Sequence, residues 1–367
     1  MRGKIVITGG GTGGHLYPML AIAEALVARG VAHHDIVLVG SARGQDGIIL
    51  ADSRFERRLL PGRGLRRSLS LEATRANLGA LAGLGAALLH SLWWTLRERP
   101  RVVVSVGGYA AAASSFAAWV ARRPLVLVDL DAAPSLTNRL LQRVATQRCR
   151  AFPGPGGGVV TGAPLRHSLR DLDRRPATRR ERCREVVPPL DPERVTVVVM
   201  SGSLGARSVN EAARGLAERW RDRSDVTMIH VTGRRYFDLY REPVHGALDY
   251  RVMPYGDMTL WWAVADVAVT RAGATTVAEL CALGIPSVLV PLPGAPGDHQ
   301  GVNARRLVSD GAATLLSDAE VSAQTLESAL RPLFDESVRN EMASRARALG
   351  RLDAAERIAE EIERVAR

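Results

Sequence analysis

Three glycine-rich segments in this chain each follow a run of β-branched residues and lead into a helical stretch. The first runs from Gly9 through Gly10, Gly11, Thr12, Gly13 and Gly14 to His15 and Pro18. The second passes through Ser201, Gly202, Ser203, Leu204, Gly205 and Ala206 to Asn210, and the third from Arg271 through Gly273, Ala274 and Thr275 to Glu279. A glycine turn between strand and helix lets backbone N–H groups approach an anion at the positive end of the helix, and phosphate is the anion that suits it. Ser203 adds a hydroxyl to such a grip. Pro18 suits a first helical turn, which predicts a helix over about residues 19–29. The Lys-Ser/Thr of a P-loop is missing, which argues against an NTPase. A single turn of this kind also serves tight strand-to-helix packing; three of them, divided between two series of strands, point to phosphate.

Strands that position these turns are expected at residues 4–8, 35–39, 102–106, 125–129 and 159–161, with Ala/Leu/Arg-rich helices between them. A second series is expected at 195–200, 226–231, 264–270, 286–290 and 313–315. Alternation of apolar strands and helices predicts two doubly wound parallel sheets, and 367 residues exceed what one core fills. The domains are expected at 1–165 and 166–345, followed by a charged amphipathic helix within 346–367.

Apolar residues at 46% and charged residues at 24% describe an ordinary globular chain. Cys149, Cys183 and Cys281 are far apart, which predicts neither a disulfide framework nor a zinc site. The chain enters its first strand at once, leaving no room for a signal peptide. No stretch reaches the roughly twenty apolar residues that span a bilayer. A cytoplasmic location follows as the expectation. The formal charge of +11, carried mainly by arginine, fits an anionic partner or a basic proteome. Dispersed arginines and only 5% aromatic residues, without a recognised motif, argue against nucleic acid as that partner.

Taken in order, the motifs resemble glycosyltransferase family 28. They are G-G-G-T-G-G-H-x-x-P at Gly9 to Pro18, S-V-G-G-Y at Ser105 to Tyr109, S-L-T-N at Ser135 to Asn138 and G-x-P-x-R at Gly162 to Arg166. G-S-x-G-A at Gly202 to Ala206, R-x-G-A-x-T-x-x-E at Arg271 to Glu279 and D-H-Q-x-x-N-A at Asp298 to Ala304 continue the match along nearly the whole chain. The resemblance implies a GT-B fold: two Rossmann-like doubly wound domains facing a cleft, the acceptor on the first and a UDP-sugar on the second. Within the family it is similar to the members that move N-acetylglucosamine from UDP-GlcNAc to undecaprenyl-diphosphate-linked muramyl-pentapeptide. That is the lipid I to lipid II step of peptidoglycan synthesis, on which cell-wall growth, cell shape and division depend.

By that resemblance the donor side comprises Thr12, Gly13, Gly14, Arg166, Ser203, Leu204, Gly205, Tyr255, Ala274, Thr275, Glu279, His299 and Gln300. Arg166 and Ser203 would hold the diphosphate, Glu279 the ribose and His299 with Gln300 the sugar hydroxyls. Residues 254–258 correspond to the stretch that frames uracil. Gly14, His15, Tyr109, Thr137 and Asn138 fall on the acceptor side, where helix capping and loop closure are the alternative roles of the last three. One departure stands out: relatives read H-E-x-N where this chain reads Val128, Asp129, Leu130, Asp131. An aspartate in place of an amide loses two N–H donors toward the sugar. Another GT-B transferase using a UDP-sugar and a different lipid or small-molecule acceptor is therefore the alternative reading.

Displacement of UDP by an acceptor hydroxyl inverts the anomeric centre and needs a base. His15 at the mouth of the first turn fits, as an imidazole that titrates near neutral pH, or it serves only to hydrogen-bond the loop or the acceptor diphosphate. Asp131 is the second candidate. Transfer without a metal or other cofactor is expected. Between residues 71 and 99, Leu78, Leu81, Leu84, Leu88, Leu92, Trp93 and Trp94 recur at helical spacing near Arg63, Arg66, Arg67, Arg75, Arg97 and Arg99. A basic rim around an apolar stripe suits the inner face of the cytoplasmic membrane, with a core-facing helix as the other reading.

Overall fold

The computed structural model describes residues 3–10, 13–42, 46–51, 53–61, 71–154, 156–202 and 205–367, with side chains in the helix Leu71–Glu98 described from residue 83 onward. Thr12, Ser203, Leu204 and the arginines at 63, 66 and 67 lie outside the described residues, as do the side chains of Tyr109, Arg75, Leu78 and Leu81.

The chain divides into two compact units, residues Met1–Arg166 with Leu352–Arg367, and His167–Arg351. The first holds β1 (Ile5–Thr8), β2 (Ile36–Ser41), β3 (Glu56–Leu60), β4 (Val102–Ser105), β5 (Leu125–Asp129), β6 (Gln147–Arg150) and β7 (Val159–Val160) in the order β3-β2-β1-β4-β5-β6-β7. The second holds β8 (Val195–Met200), β9 (Val226–Val231), β10 (Asp249–Met253), β11 (Val267–Thr270), β12 (Ser287–Leu289) and β13 (Thr314–Leu315) in the order β10-β9-β8-β11-β12-β13. Every described pairing is parallel. Strands such as Ile5–Thr8 and Val226–Val231 are buried along their whole length because helices cover both faces.

Both sheets reverse their winding once, between β1 and β4 in the first unit and between β8 and β11 in the second. A crevice opens at the carboxyl ends of the strands at such a switch point, and ligands bind there. The turns after β1, β4, β8 and β11 are the three glycine segments and the Gly107-Gly108 pair.

Three strands were not expected from the sequence, and each carries charge. β3 is an edge strand whose Glu56 pairs with Lys4 and Arg58. β10 is the other kind of edge, half-buried, with Arg251 on Asp249 at 2.9 Å. β6 is interior and places Arg148 and Arg150 in the core at 6% and 5% exposure. Arg148 is compatible with burial because its Nε donates to Asp129 at 2.6 Å and its Nη1 to the Gly156 carbonyl at 2.8 Å.

The first helix also differs from expectation. It spans Gly13–Ala28 and not 19–29, so Pro18 lies inside its second turn. A proline there forgoes one helical hydrogen bond, and burial of Leu16, Met19, Ile22 and Leu26 carries the helix past it. The closing helix Ala354–Ala366 belongs to the first unit, where Ile358 and Ile362 are buried against the first helix, β4 and β6. Arg29 ties the two helices together through Glu360 and Glu363 at 3.2 and 3.0 Å.

Replacing Arg148 by Met strands the buried Asp129 carboxylate without its cation, and is expected to cost roughly 3–5 kcal/mol of stability. Urea unfolding of the purified variant measures this; a midpoint equal to wild type contradicts the assigned role of the pair.

Candidate functional site

In the first unit the turn after β1 and the turn after β4 press backbone against backbone. Gly108 has φ +90°, and a Cβ there would run into the Gly10 carbonyl. Gly10, at φ +137°, leaves space in the same way for the carboxylate of Asp46. Asp46 is fully buried and accepts from the Ser41 N–H at 2.7 Å; it has no precedent in the sequence reading because nothing in its neighbourhood marks it. His15 is half-buried and its Nδ1 lies 3.2 Å from the Val106 carbonyl oxygen. A carbonyl only accepts, so Nδ1 carries a proton toward Val106 and a neutral ring in this pose has its lone pair at Nε2. Gly107 at φ +103° keeps this ring in place, since a Cβ would lie 3.0 Å from His15 Cε1.

Asn138 is buried and donates from Nδ2 to Asp129 at 2.8 Å, so it secures the end of β5. Thr137 beside it and Asp131 are half-buried. Gly13 and Gly14 form the start of the first helix. The Arg166 guanidinium stacks on the Tyr17 ring at 4.6 Å, within the first unit.

In the second unit, Ser201 Oγ accepts from the Ala206 N–H at 2.9 Å and so joins the two ends of the glycine turn. Gly205 bonds back to Gly202 at 3.0 Å and has φ +74°, with Thr232 backbone where a Cβ would stand. Ser135, Asp257, Ser322 and Asp335 cap their helices with side-chain oxygens. The helices that start at the switch points have Gly108, Ala206 and Gly273 as N-caps, which make no side-chain cap. Their first-turn N–H groups suit an anion, at the end where the helix carries about half a positive charge.

Ala274 and Thr275 open the helix Ala274–Leu283, and Glu279 within it is buried, accepting from Trp262 Nε1 at 2.8 Å. Arg271 is occupied structurally: it reaches Val290 O, Pro291 O and Asp318 at 3.1, 3.1 and 2.5 Å and joins three strand ends. Asn303 donates to the Ala272 carbonyl at 3.1 Å and holds the same turn. Gln300 accepts from the Leu292 N–H at 3.0 Å, and His299 begins the helix His299–Ser309. Tyr255 is exposed, with the Arg234 guanidinium 5.5 Å from its ring.

Behind the second turn, His230 is fully buried, and burial drives its imidazole down to about 3. The unfolded chain therefore binds a proton between about pH 6.5 and 3 that the folded chain does not, so stability falls as pH drops through that window. From pH 7 to pH 5 this group should cost about 2 kcal/mol. Urea unfolding of wild type and His230→Gln at the two pH values measures it; equal acid sensitivity in both contradicts the assignment.

These sites can be set beside known proteins. The glycosyltransferase family 28 N-terminal domain model matches residues 5–149 and the C-terminal domain model residues 196–360. A protein of Alkalilimnicola ehrlichii is 39% identical over 98% of both chains. One of Xylella fastidiosa is 38% identical over 97% of this chain and 94% of its own. Both are named UDP-N-acetylglucosamine--N-acetylmuramyl-(pentapeptide) pyrophosphoryl-undecaprenol N-acetylglucosamine transferase. The crystal structure of Acinetobacter baumannii MurG superposes with a TM-score of 0.77 at 25% identity, covering 98% of this chain and 99% of that one. The fold is GT-B. With both domain models matched in order and near-complete relatives at such identity, the chain belongs to glycosyltransferase family 28.

Proposed function

We propose that this chain transfers N-acetylglucosamine from UDP-GlcNAc, with inversion, to undecaprenyl-diphosphate-linked muramyl-pentapeptide, the first unit taking the acceptor and the second the donor. The end-to-end match at 39% identity to a relative named for that transfer carries the reading. In it, the acceptor hydroxyl attacks the anomeric carbon opposite the diphosphate. The bond to UDP breaks, UDP leaves with the electron pair, and the hydroxyl proton passes to a base, giving a β-linkage.

The charge that develops on the departing diphosphate falls to Gly13, Gly14, Gly205, Ala274 and Thr275 near helix starts, with Arg166 adding a full positive charge and Thr12, Ser203 and Leu204 assigned to the donor by the family resemblance alone. Glu279 takes the ribose, Tyr255 borders the base, and His299 and Gln300 take the sugar. Gly14, His15, Tyr109, Thr137 and Asn138 serve the acceptor. His15 is the preferred base because Nδ1–H is held by the Val106 carbonyl and Nε2 is the accepting atom; Asp131 is the second.

A lipid-linked acceptor implies peripheral attachment at the inner face of the cytoplasmic membrane. No helix among the described residues is long and apolar enough to cross a membrane. Within the stripe expected for contact, Trp94 is buried at 5% exposure, with the Arg58 guanidinium 4.8 Å from its ring. The outward face bears Leu88, Leu89, Trp93 and Leu96, with Arg97 lying 5.6 Å from the Trp93 ring, and Leu84 is half-buried. This face supports the membrane reading.

Purified protein given radiolabelled UDP-GlcNAc and lipid-linked muramyl-pentapeptide should form β-linked labelled product, with other UDP-sugars competing poorly; label moving only to a different acceptor would favour the alternative transferase. His15→Ala should lower turnover roughly 10²-fold, and unchanged turnover removes it as the base. Vesicles containing anionic lipid should co-sediment the protein, with Trp93→Ala weakening the partition roughly threefold or more; equal binding to neutral vesicles, or none, counts against a basic membrane face.

A further inference from the structure

The turn between Ser201 and Ala206 is backed by a chain of buried hydrogen bonds whose direction is fixed from end to end. Asn210 Nδ2 donates to the Thr232 carbonyl at 2.9 Å, so Asn210 Oδ1 is an acceptor. Two groups approach that oxygen: Ser201 Oγ at 3.2 Å and His230 Nε2 at 3.1 Å. Both must donate. Ser201 thereby turns its lone pair to the Ala206 N–H. His230, protonated at Nε2, accepts at Nδ1 from the Tyr250 hydroxyl 2.8 Å away.

Burial reinforces this arrangement, because Ser201, Asn210, His230 and Thr232 are all 5% exposed or less. The charged imidazolium is excluded by desolvation, which leaves one neutral tautomer. His230 stands beside Val199 in the β8–β9 register, one residue before the end of β8. The Thr232 carbonyl that Asn210 grips is also the wall against which Gly205 turns at positive φ. Asn210 thus sets both ends of the turn: Ser201 before it and, through Thr232, Gly205 after it.

We propose that His230 is a positioning residue for the nucleotide-sugar donor, setting through Asn210 the spacing of the backbone N–H groups that grip its diphosphate. The inference rests on the reading that this turn takes the donor. His230 touches no substrate, and its effect passes entirely through Asn210 and Ser201.

The test uses the full-length protein, with UDP titrated calorimetrically into wild type, His230→Leu, His230→Gln and Tyr250→Phe, and with Michaelis constants for both substrates. Leucine keeps the volume but donates nothing, whereas glutamine offers an N–H toward Asn210 and a carbonyl toward Tyr250. His230→Leu should weaken UDP about tenfold and raise the UDP-GlcNAc KM by a similar factor, with the acceptor KM unchanged. His230→Gln should recover to within about threefold of wild type. A general loss of folding lowers the active fraction but leaves the Michaelis constants of the folded molecules alone. UDP affinity unchanged in His230→Leu, an equal loss in the Leu and Gln variants, or a matching rise in acceptor KM overturns the proposal. If His230→Leu does not fold, Tyr250→Phe decides: a loss of about threefold in UDP affinity supports it, and an unchanged affinity overturns it. Wild type that fails to bind UDP at all removes the donor reading itself and this inference with it, a result distinct from any pattern among the variants.

Discussion

Backbone must pass backbone at the carboxyl ends of the strands in both sheets, with no side chain between. Gly108 faces the Gly10 carbonyl, Gly205 faces the Thr232 carbonyl, and both sit at positive φ where an ordinary residue would be strained. This closeness joins the turns that follow β1 and β4 in the first unit, and the turn that follows β8 to the end of β9 in the second. Main-chain N–H groups at helix starts then become the natural partners of a ligand phosphate. A Cβ at either glycine would separate the turn from its neighbour.

What keeps these turns in place is polar and buried. Asp129 is clasped by Arg148 and Asn138 at the end of β5, Ser201 by Asn210, itself held by His230, at the end of β8, and the turn after β11 by Arg271 and Asn303. Apolar packing fills the layers between sheet and helix and fixes positions loosely. Hydrogen bonds with defined donors and acceptors fix the strand ends, since a misplaced partner leaves a buried polar group unmet. The same logic explains why several residues of the sequence motifs, Arg271 and Asn303 among them, are spent on the fold.

The apolar strands and the glycine turns were legible because they follow simple rules: β-branched runs for buried parallel strands, and glycine where a turn needs positive φ. β3, β6 and β10 were not, since their arginines and acidic residues look like loop until their partners, far away in sequence, are known. The start of the first helix was misjudged because Pro18 is a local signal that burial of Leu16 and Met19 outweighs. Helical spacing marked the Trp93-Trp94 pair, but which of two adjacent residues faces inward depends on the sheet beneath. His230 and Asp46 carried no sequence signal at all; their importance comes from contacts made only in the folded chain.

Hydrogen–deuterium exchange of the full-length protein with and without UDP tests the central claim most directly, because it reads the backbone N–H groups themselves. Slower exchange is predicted in the amides of the turn after β8 and of the first helical turn after Gly273. Protection confined to other segments, with these two turns exchanging as fast as in the free protein, would contradict the account.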